Sequence, residues 1–74
     1  MNCTVVSADG RRDFQNVESL VLPTLSGEVQ VLPGHAESFL TLGTGQIVSS
    51  NKNEIISIEG GACHIKDDDV IVIL

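Results

Sequence analysis

The chain is short of basic residues, aromatics and helix formers. Four Lys and Arg stand against ten Asp and Glu, a formal charge of -6 and a pI near 4.4. Nucleic acids and anionic membrane surfaces are held by clustered Lys and Arg that neutralise phosphates, so this balance argues against both and suits a basic partner surface. No run approaches the roughly 18 apolar residues of a membrane span, and the N-terminus lacks the basic-then-apolar layout of an export signal. A cytosolic setting without direct lipid insertion is expected. Trp and Tyr are missing, and Phe14 and Phe39 are the only aromatics. Three Ala face nine Val and seven Ile; β-branched side chains lose rotamer freedom on a helix and pack well on a pleated surface. With 74 residues, a multi-domain enzyme is excluded and one small domain is expected.

Cys3 and Cys63 could pair only if the first strand came to lie beside a late one, and no export signal favours oxidation. Reduced thiols serving as small core residues are expected. The sequon at Asn2-Cys3-Thr4 carries no meaning in a cytosolic chain.

What is present is a regular series of turn signals: Asp9-Gly10, Gln15-Asn16, Ser26-Gly27, Pro33-Gly34, Gly43-Thr44-Gly45, Asn51-Lys52-Asn53, Gly60-Gly61 and Asp67-Asp68-Asp69. The short runs between them predict strands near Cys3-Ser7, Val17-Leu22, Glu28-Leu32, Ser38-Leu42, Gln46-Ser50, Glu54-Ile58, Ala62-Lys66 and Val70-Leu74. In Glu28-Val29-Gln30-Val31 the alternation puts the valines on the core face. The run Val70-Leu74 is apolar on both sides, so it is either central between covered faces or buried at a contact with another molecule. One sheet would leave half of the Val and Ile in water. The expectation is therefore an all-β fold, a two-sheet sandwich or flattened barrel of about 8–10 short strands. An unpaired edge with the apolar last strand could support weak self-association in isolation.

The candidate chemistry is thin. Cys63 and His64 are adjacent, so on a strand they point to opposite faces and cannot act as nucleophile and base. His35, His64, Cys3 and Cys63 offer no short spaced pair of the kind zinc sites use. Asp67-Asp68-Asp69 lacks the EF-hand spacing and reads as a solvated hairpin turn. Gly43-Thr44-Gly45 is not followed by Lys-Ser/Thr or by a helix, so it is a turn rather than a phosphate loop. Leu32-Pro33-Gly34-His35-Ala36 is a stiff bend that either displays His35 to a partner or uses it to cap a backbone group. No catalytic residue, metal or cofactor is expected, and a binding or structural module is the reading from the residues alone.

The order of motifs adds to this. Val5-Val6-Ser7-Ala8-Asp9, Phe14 with Val17-Glu18, the block Ser26-Gly27-Glu28-Val29-Gln30-Val31-Leu32-Pro33-Gly34-His35-Ala36, Gly45-Gln46-Ile47, Ile58-Glu59-Gly60-Gly61 and Val70-Ile71-Val72-Ile73-Leu74 follow one another over nearly the whole chain. Together they resemble the N-terminal β-sandwich domain of the epsilon subunit of F-type ATP synthase, called delta in mitochondria. The resemblance implies a ten-stranded sandwich with no catalytic site, at the foot of the central rotor stalk. There it would bind the gamma subunit and rest on the polar loops of the c-ring, peripheral on the cytoplasmic face of an energy-transducing membrane. It implies c-ring contact at Ser26, Gly27 and Glu28, and gamma contact at Ser7 and His35. Gln30 stands where many members have Gly, and the turn between Phe14 and Val17 is one residue shorter than usual. The family's second domain, a helical hairpin that regulates ATP hydrolysis in many bacterial members, does not follow Leu74. A naturally short member or a first domain alone is expected, without autoinhibition by these residues. The alternative function is a free-standing β-sandwich adaptor or ligand-binding module outside the synthase, since fold alone does not fix function.

Overall fold

The computed structural model describes residues 1–50 and 54–74. Nine strands run in chain order: β1 (Asn2–Ser7), β2 (Gly10–Phe14), β3 (Leu20–Thr24), β4 (Gly27–Val31), β5 (Ser38–Leu42), β6 (Gly45–Ser49), β7 (Glu54–Ile58), β8 (Gly61–Lys66) and β9 (Asp69–Ile73). The described residues contain no helix. The expected turn at Asn51-Lys52-Asn53 lies outside them.

Hydrogen bonding links the strands in the order β2-β1-β9-β8-β5-β3-β6-β7, with β4 on the other side of β3. The β3–β5 link is a single residue pair, Thr24 with Leu42. At that junction the sheet doubles over into a layer of β2, β1, β9, β8 and β5 and a layer of β4, β3, β6 and β7. Their inward faces share one cluster, including Val5, Leu20, Leu22, Val31, Leu42, Ile47, Ile65, Val70 and Val72. This is the expected sandwich, open on one side. Arg12 on β2 and Glu54 on β7 reach across that side at 3.2 Å.

Alternation explains most of the core. In β4, Val31 is buried and Val29 packs against the cluster while Glu28 and Gln30 stay in water, as the sequence pattern required. β9 is central, between β1 and β8. Its Val70 and Val72 are fully buried, yet Ile71 and Ile73 face outward and are exposed. Only one of its faces is covered.

Two differences from the sequence expectation have local causes. β2 was not expected, because Gly-Arg-Arg-Asp-Phe has no apolar alternation; it is an edge strand wet on both faces, so nothing selects a hydrophobic side. The strand expected at Val17-Leu22 begins at Leu20 and continues through Pro23. Val17 is still buried, but in the preceding loop, where its N–H donates to the Met1 carbonyl and its own carbonyl accepts from the Met1 ammonium. Pro23 is tolerated because it falls where β3 passes from β6 to β5, so its missing N–H costs no ladder bond there, and its carbonyl accepts from the Gly43 N–H.

Cys3 and Cys63 are both free and buried. β9 lies between their strands: Cys3 is opposite Val70, and Cys63 is opposite Val72. Two strand spacings of about 4.8 Å plus the diagonal offset place their Cα atoms well beyond the roughly 7 Å limit for a disulfide. Burial pushes the Cys3 thiol up to about 12, with help from Cys63 and Asp13, and the Cys63 thiol up to about 11. Thiolates are the reactive form, so both should resist a thiol reagent at pH 8 in the folded chain. At least a hundredfold faster modification is expected in denaturant, measured by absorbance; comparable rates in both states would contradict the packing. The linkage has a definite sign. A thiol raised in the folded state contributes nothing unfavourable below the ordinary value of 9.0, and stability falls as pH climbs above it, because only the unfolded chain ionises.

Candidate interaction surfaces

The strand directions sort the loops into two ends. One end holds the β1–β2, β3–β4, β5–β6 and β7–β8 connections together with Leu74; the other holds Met1, the β2–β3 and β4–β5 connections and the β8–β9 turn.

At the first end, β3 and β4 form a tight hairpin with Leu25 and Ser26 at its tip. The Thr24 hydroxyl donates to the Gly27 carbonyl at 2.6 Å and accepts from the Ser26 N–H at 3.2 Å. The Leu25 N–H donates to the Thr41 carbonyl, which fixes the tip against β5. Leu25 is nevertheless 74% exposed, and Ser26, Gly27 and Glu28 are exposed beside it. Asp9 and Glu59 lie in neighbouring loops of this end, whose connecting residues include no Lys or Arg. The end therefore combines an exposed leucine with exposed carboxylates. Ser7 is also here, and its hydroxyl is engaged within the β1–β2 turn, accepting from the Asp9 N–H at 3.3 Å and donating to the Gly10 carbonyl at 3.5 Å.

His35 sits at the opposite end. Leu32-Pro33-Gly34-His35 is a β-turn closed by the His35 N–H donating to the Leu32 carbonyl at 3.2 Å, and the φ of 84° at Gly34 is the positive angle a type II turn needs after proline. Nδ1 of His35 donates to the Ala36 carbonyl at 2.7 Å. The histidine is thus half-buried and caps a backbone group, while Leu32, Ala36 and Glu37 around it are exposed. The turn is tied to the β8–β9 hairpin: the Asp68 carboxylate accepts from the Gly34 N–H at 2.9 Å, and the Asp68 carbonyl accepts from the Asn2 N–H at 2.8 Å. Asp67 and Asp68 both have positive φ, 52° and 63°, the pattern of a type I′ hairpin turn. The expected hairpin is there, but Asp68 anchors two other segments as well as turning the chain. Among the described residues, no group of three or more His, Cys, Asp and Glu is placed to hold a metal.

Between the two ends runs the outer face of the five-stranded layer, which sequence reading did not single out. Phe39 on β5 is directly opposite His64 on β8, and His64 is opposite Ile71 on β9. The Phe39 and His64 rings stack with centroids 4.1 Å apart and planes 4° from parallel. Nε2 of His64 lies 2.9 Å from the Glu37 carboxylate. Phe39 is 77% exposed, and Ala62, Ile71 and Ile73 continue the apolar surface. Cys63 points inward from the same strand, so the two neighbours are on opposite faces as expected. Adjacency put Cys63 and His64 on opposite faces and Val70-Leu74 read as apolar on both sides, but neither carried a signal that Phe39 would meet His64. At the β1–β2 edge of this face, Asp13 accepts from Thr4 and pairs with Arg11 at 3.0 Å; these hydrogen bonds, Arg11's the stronger, hold its carboxyl below the usual range.

These features define a small β-sandwich whose exposed chemistry is one acidic, leucine-tipped end and one apolar sheet face. The sequence profile of the ATP synthase delta/epsilon chain β-sandwich domain matches residues 1–74, and the chain belongs to that family. It is 36% identical to the chloroplastic ATP synthase epsilon chain of Pylaiella littoralis, over all of this chain and 58% of that one. It is also 36% identical to the ATP synthase epsilon chain of Leptospira borgpetersenii, over 99% of this chain and 59% of that one. The chain thus spans somewhat more than half the length of these relatives. Among solved structures, a chain in the central stalk/c-ring structure of Tetrahymena thermophila mitochondrial ATP synthase superposes with a TM-score of 0.83 at 13% identity, covering 99% of this chain and 61% of that one. A chain in the OSCP/F1/c-ring structure of the Euglena gracilis mitochondrial enzyme gives 0.80 at 25% identity, covering 96% and 48%.

Proposed function

We propose that the chain is a non-catalytic rotor-stalk subunit of an F-type ATP synthase, bound by gamma and seated on the polar loops of the c-ring, peripheral on the cytoplasmic face of the membrane. The observation that carries this reading is the family membership of the whole chain combined with an end built for a basic surface. Leu25, Ser26 and Glu28 project from a hairpin pinned to β5, with Asp9 and Glu59 alongside. Exposed carboxylates facing basic loops set register and orientation, each contributing modestly. No step of ATP chemistry is assigned to this chain. Its part is to hold gamma against the ring so that ion flow and ATP synthesis stay coupled.

Ser7 and His35 support the gamma contact differently. They sit at opposite ends of the sandwich, Ser7 at the close of β1 and His35 in the turn between β4 and β5, so a partner touching both must span its length. Ser7 shares its end with the Glu28 hairpin, so on this reading one gamma contact lies near the ring.

The test is co-elution with a matched purified gamma subunit, followed by cross-linking of Glu28→Cys to a c-ring carrying cysteines in its polar loops. A stable complex and a position-dependent cross-link are expected. With Glu28→Lys, reversal of charge at the ring should lower coupled ATP synthesis in reconstituted vesicles about two- to fivefold while leaving co-elution with gamma intact. A folded chain that neither co-elutes nor cross-links would instead be a free-standing adaptor.

A further inference from the structure

We infer that Asp68 is a positioning residue for the His35 contact: from the β8–β9 turn, its carboxylate holds the Pro33–Gly34 peptide in the orientation that presents His35 to gamma. The inference rests on the proposed contact of His35 with gamma, and it adds the residue that shapes that contact.

The turn Leu32-Pro33-Gly34-His35 has one soft joint. Proline fixes its own φ at about −65°, and the closing bond from the His35 N–H to the Leu32 carbonyl is common to type I and type II turns. The two types differ by a flip of the peptide plane between the second and third residues, which takes the third residue's φ from about +80° to about −90°. Glycine adopts either sign without a Cβ clash, so Pro33-Gly34 by itself leaves both turns open. The φ of 84° at Gly34 is the type II value. The N–H of the third residue lies across the plane of such a turn and finds no acceptor within it; here it donates to Oδ1 of Asp68 at 2.9 Å. A flip would aim the Pro33 carbonyl oxygen at that carboxylate instead, exchanging a charge-assisted hydrogen bond for the repulsion of two acceptors.

The carboxylate is itself anchored. Asp68 sits in the hairpin turn with a φ of 63°, and its carbonyl accepts from the Asn2 N–H at 2.8 Å, which ties the hairpin to β1. On the other side of the turn, the Ala36 carbonyl accepts from Nδ1 of His35 at 2.7 Å and from the Ser38 hydroxyl at 3.1 Å. The imidazole is thereby fixed to the start of β5, and the freedom left is that of the Pro33–Gly34 peptide, which Asp68 holds. Gly34 and Asp68 are both exposed, so water competes for their bond and its loss shifts the population of the turn without unfolding the chain.

The experiment pairs amide hydrogen exchange at Gly34, followed by NMR, with the affinity for a matched gamma subunit, measured by calorimetry at one pH and salt concentration. Asp68→Gly removes the carboxylate, suits the positive φ and keeps the backbone bond to Asn2. In this variant exchange at Gly34 is expected to rise about threefold or more, and Kd for gamma to rise about three- to tenfold, the factor by which the binding-competent fraction falls. Asp68→Asn keeps an acceptor oxygen and tolerates positive φ, so it should bind within about twofold of the wild type. Asp67→Gly removes the same charge from the neighbouring turn position without touching Gly34 and should also stay within about twofold. Urea denaturation checks that each variant is folded. Unchanged affinity in Asp68→Gly overturns the inference and leaves the His35 contact standing. So does an equal loss in Asp68→Asn and Asp67→Gly, which marks an effect of net charge. Wild-type affinity in His35→Ala, or no binding of gamma by the wild type, overturns the contact and this inference with it.

Discussion

Gly61→Val is expected to cost the chain about 2–6 kcal/mol, a large part of its stability. Gly61 opens β8 directly after Gly60, both with strongly positive φ, 147° at Gly61. A Cβ built there would land on the Ile73 carbonyl oxygen and lie 3.1 Å from the Leu74 side chain. The obstacle is the backbone of β9, a central strand, so relief by a side-chain rotation is not available. Moving β9 would also disturb its pairing with β1, where the Leu74 N–H donates to the Val6 carbonyl at 2.8 Å. A strained backbone conformation costs about 1–3 kcal/mol, and the overlap adds a comparable amount. A domain of this length has roughly 4–11 kcal/mol in all. Urea denaturation followed by circular dichroism measures the loss. Gly10→Ala is the matched control: its φ is also positive, 132°, but its Cβ would meet open space. If Gly61→Val were no more destabilising than Gly10→Ala, the close approach of β9 would be wrong.

Leu22→Ala is the second large effect. Leu22 is completely buried on β3, opposite Val29 of β4, in the cluster shared by the two layers. Removing its branched end leaves a cavity that a two-layer core of this size cannot close without shifting a strand. A loss of about 3 kcal/mol is expected, within the usual span of 2–5 for such sites, read as a lower urea midpoint with an unchanged slope. Leu25→Ala separates packing from docking. Leu25 is three residues along the same hairpin but projects into water, so its removal should change stability by less than about 0.5 kcal/mol. A large loss of stability in Leu25→Ala would mean that the hairpin tip is held by the core rather than offered to a partner.

Much of this fold is legible in the residues. Alternation in Glu28-Val29-Gln30-Val31 assigned the inward valines and left Glu28 outside. Pro33-Gly34 called for a sharp turn and Gly34 supplies its positive φ. Adjacency put Cys63 and His64 on opposite faces. These readings depend on the chain's period of two and on local backbone sterics, both carried by neighbouring residues. β2 escaped because a strand wet on both faces has no pattern to read. β3 shifted past Leu22 because the penalty for a proline in a strand vanishes where no partner needs its N–H, and which residue meets that condition is set by β5 and β6.

The amino-acid sequence by itself determined that this chain folds as an all-β sandwich with an acidic balance of charge, that Val29, Val31 and the two cysteines enter the core, and which family it resembles. Tertiary structure alone decided that β9 lies between Cys3 and Cys63 and keeps the thiols apart. It alone brought Glu28 and Ser7 to one end and His35 to the other, tied Asp68 to Gly34 and Asn2, and stacked Phe39 on His64 beside Glu37. The physical reason is that burial preference acts residue by residue. Partner and register of a strand are instead settled by joint closure of the sheet, where segments far apart in the chain must satisfy their backbone hydrogen bonds and fill one core at once.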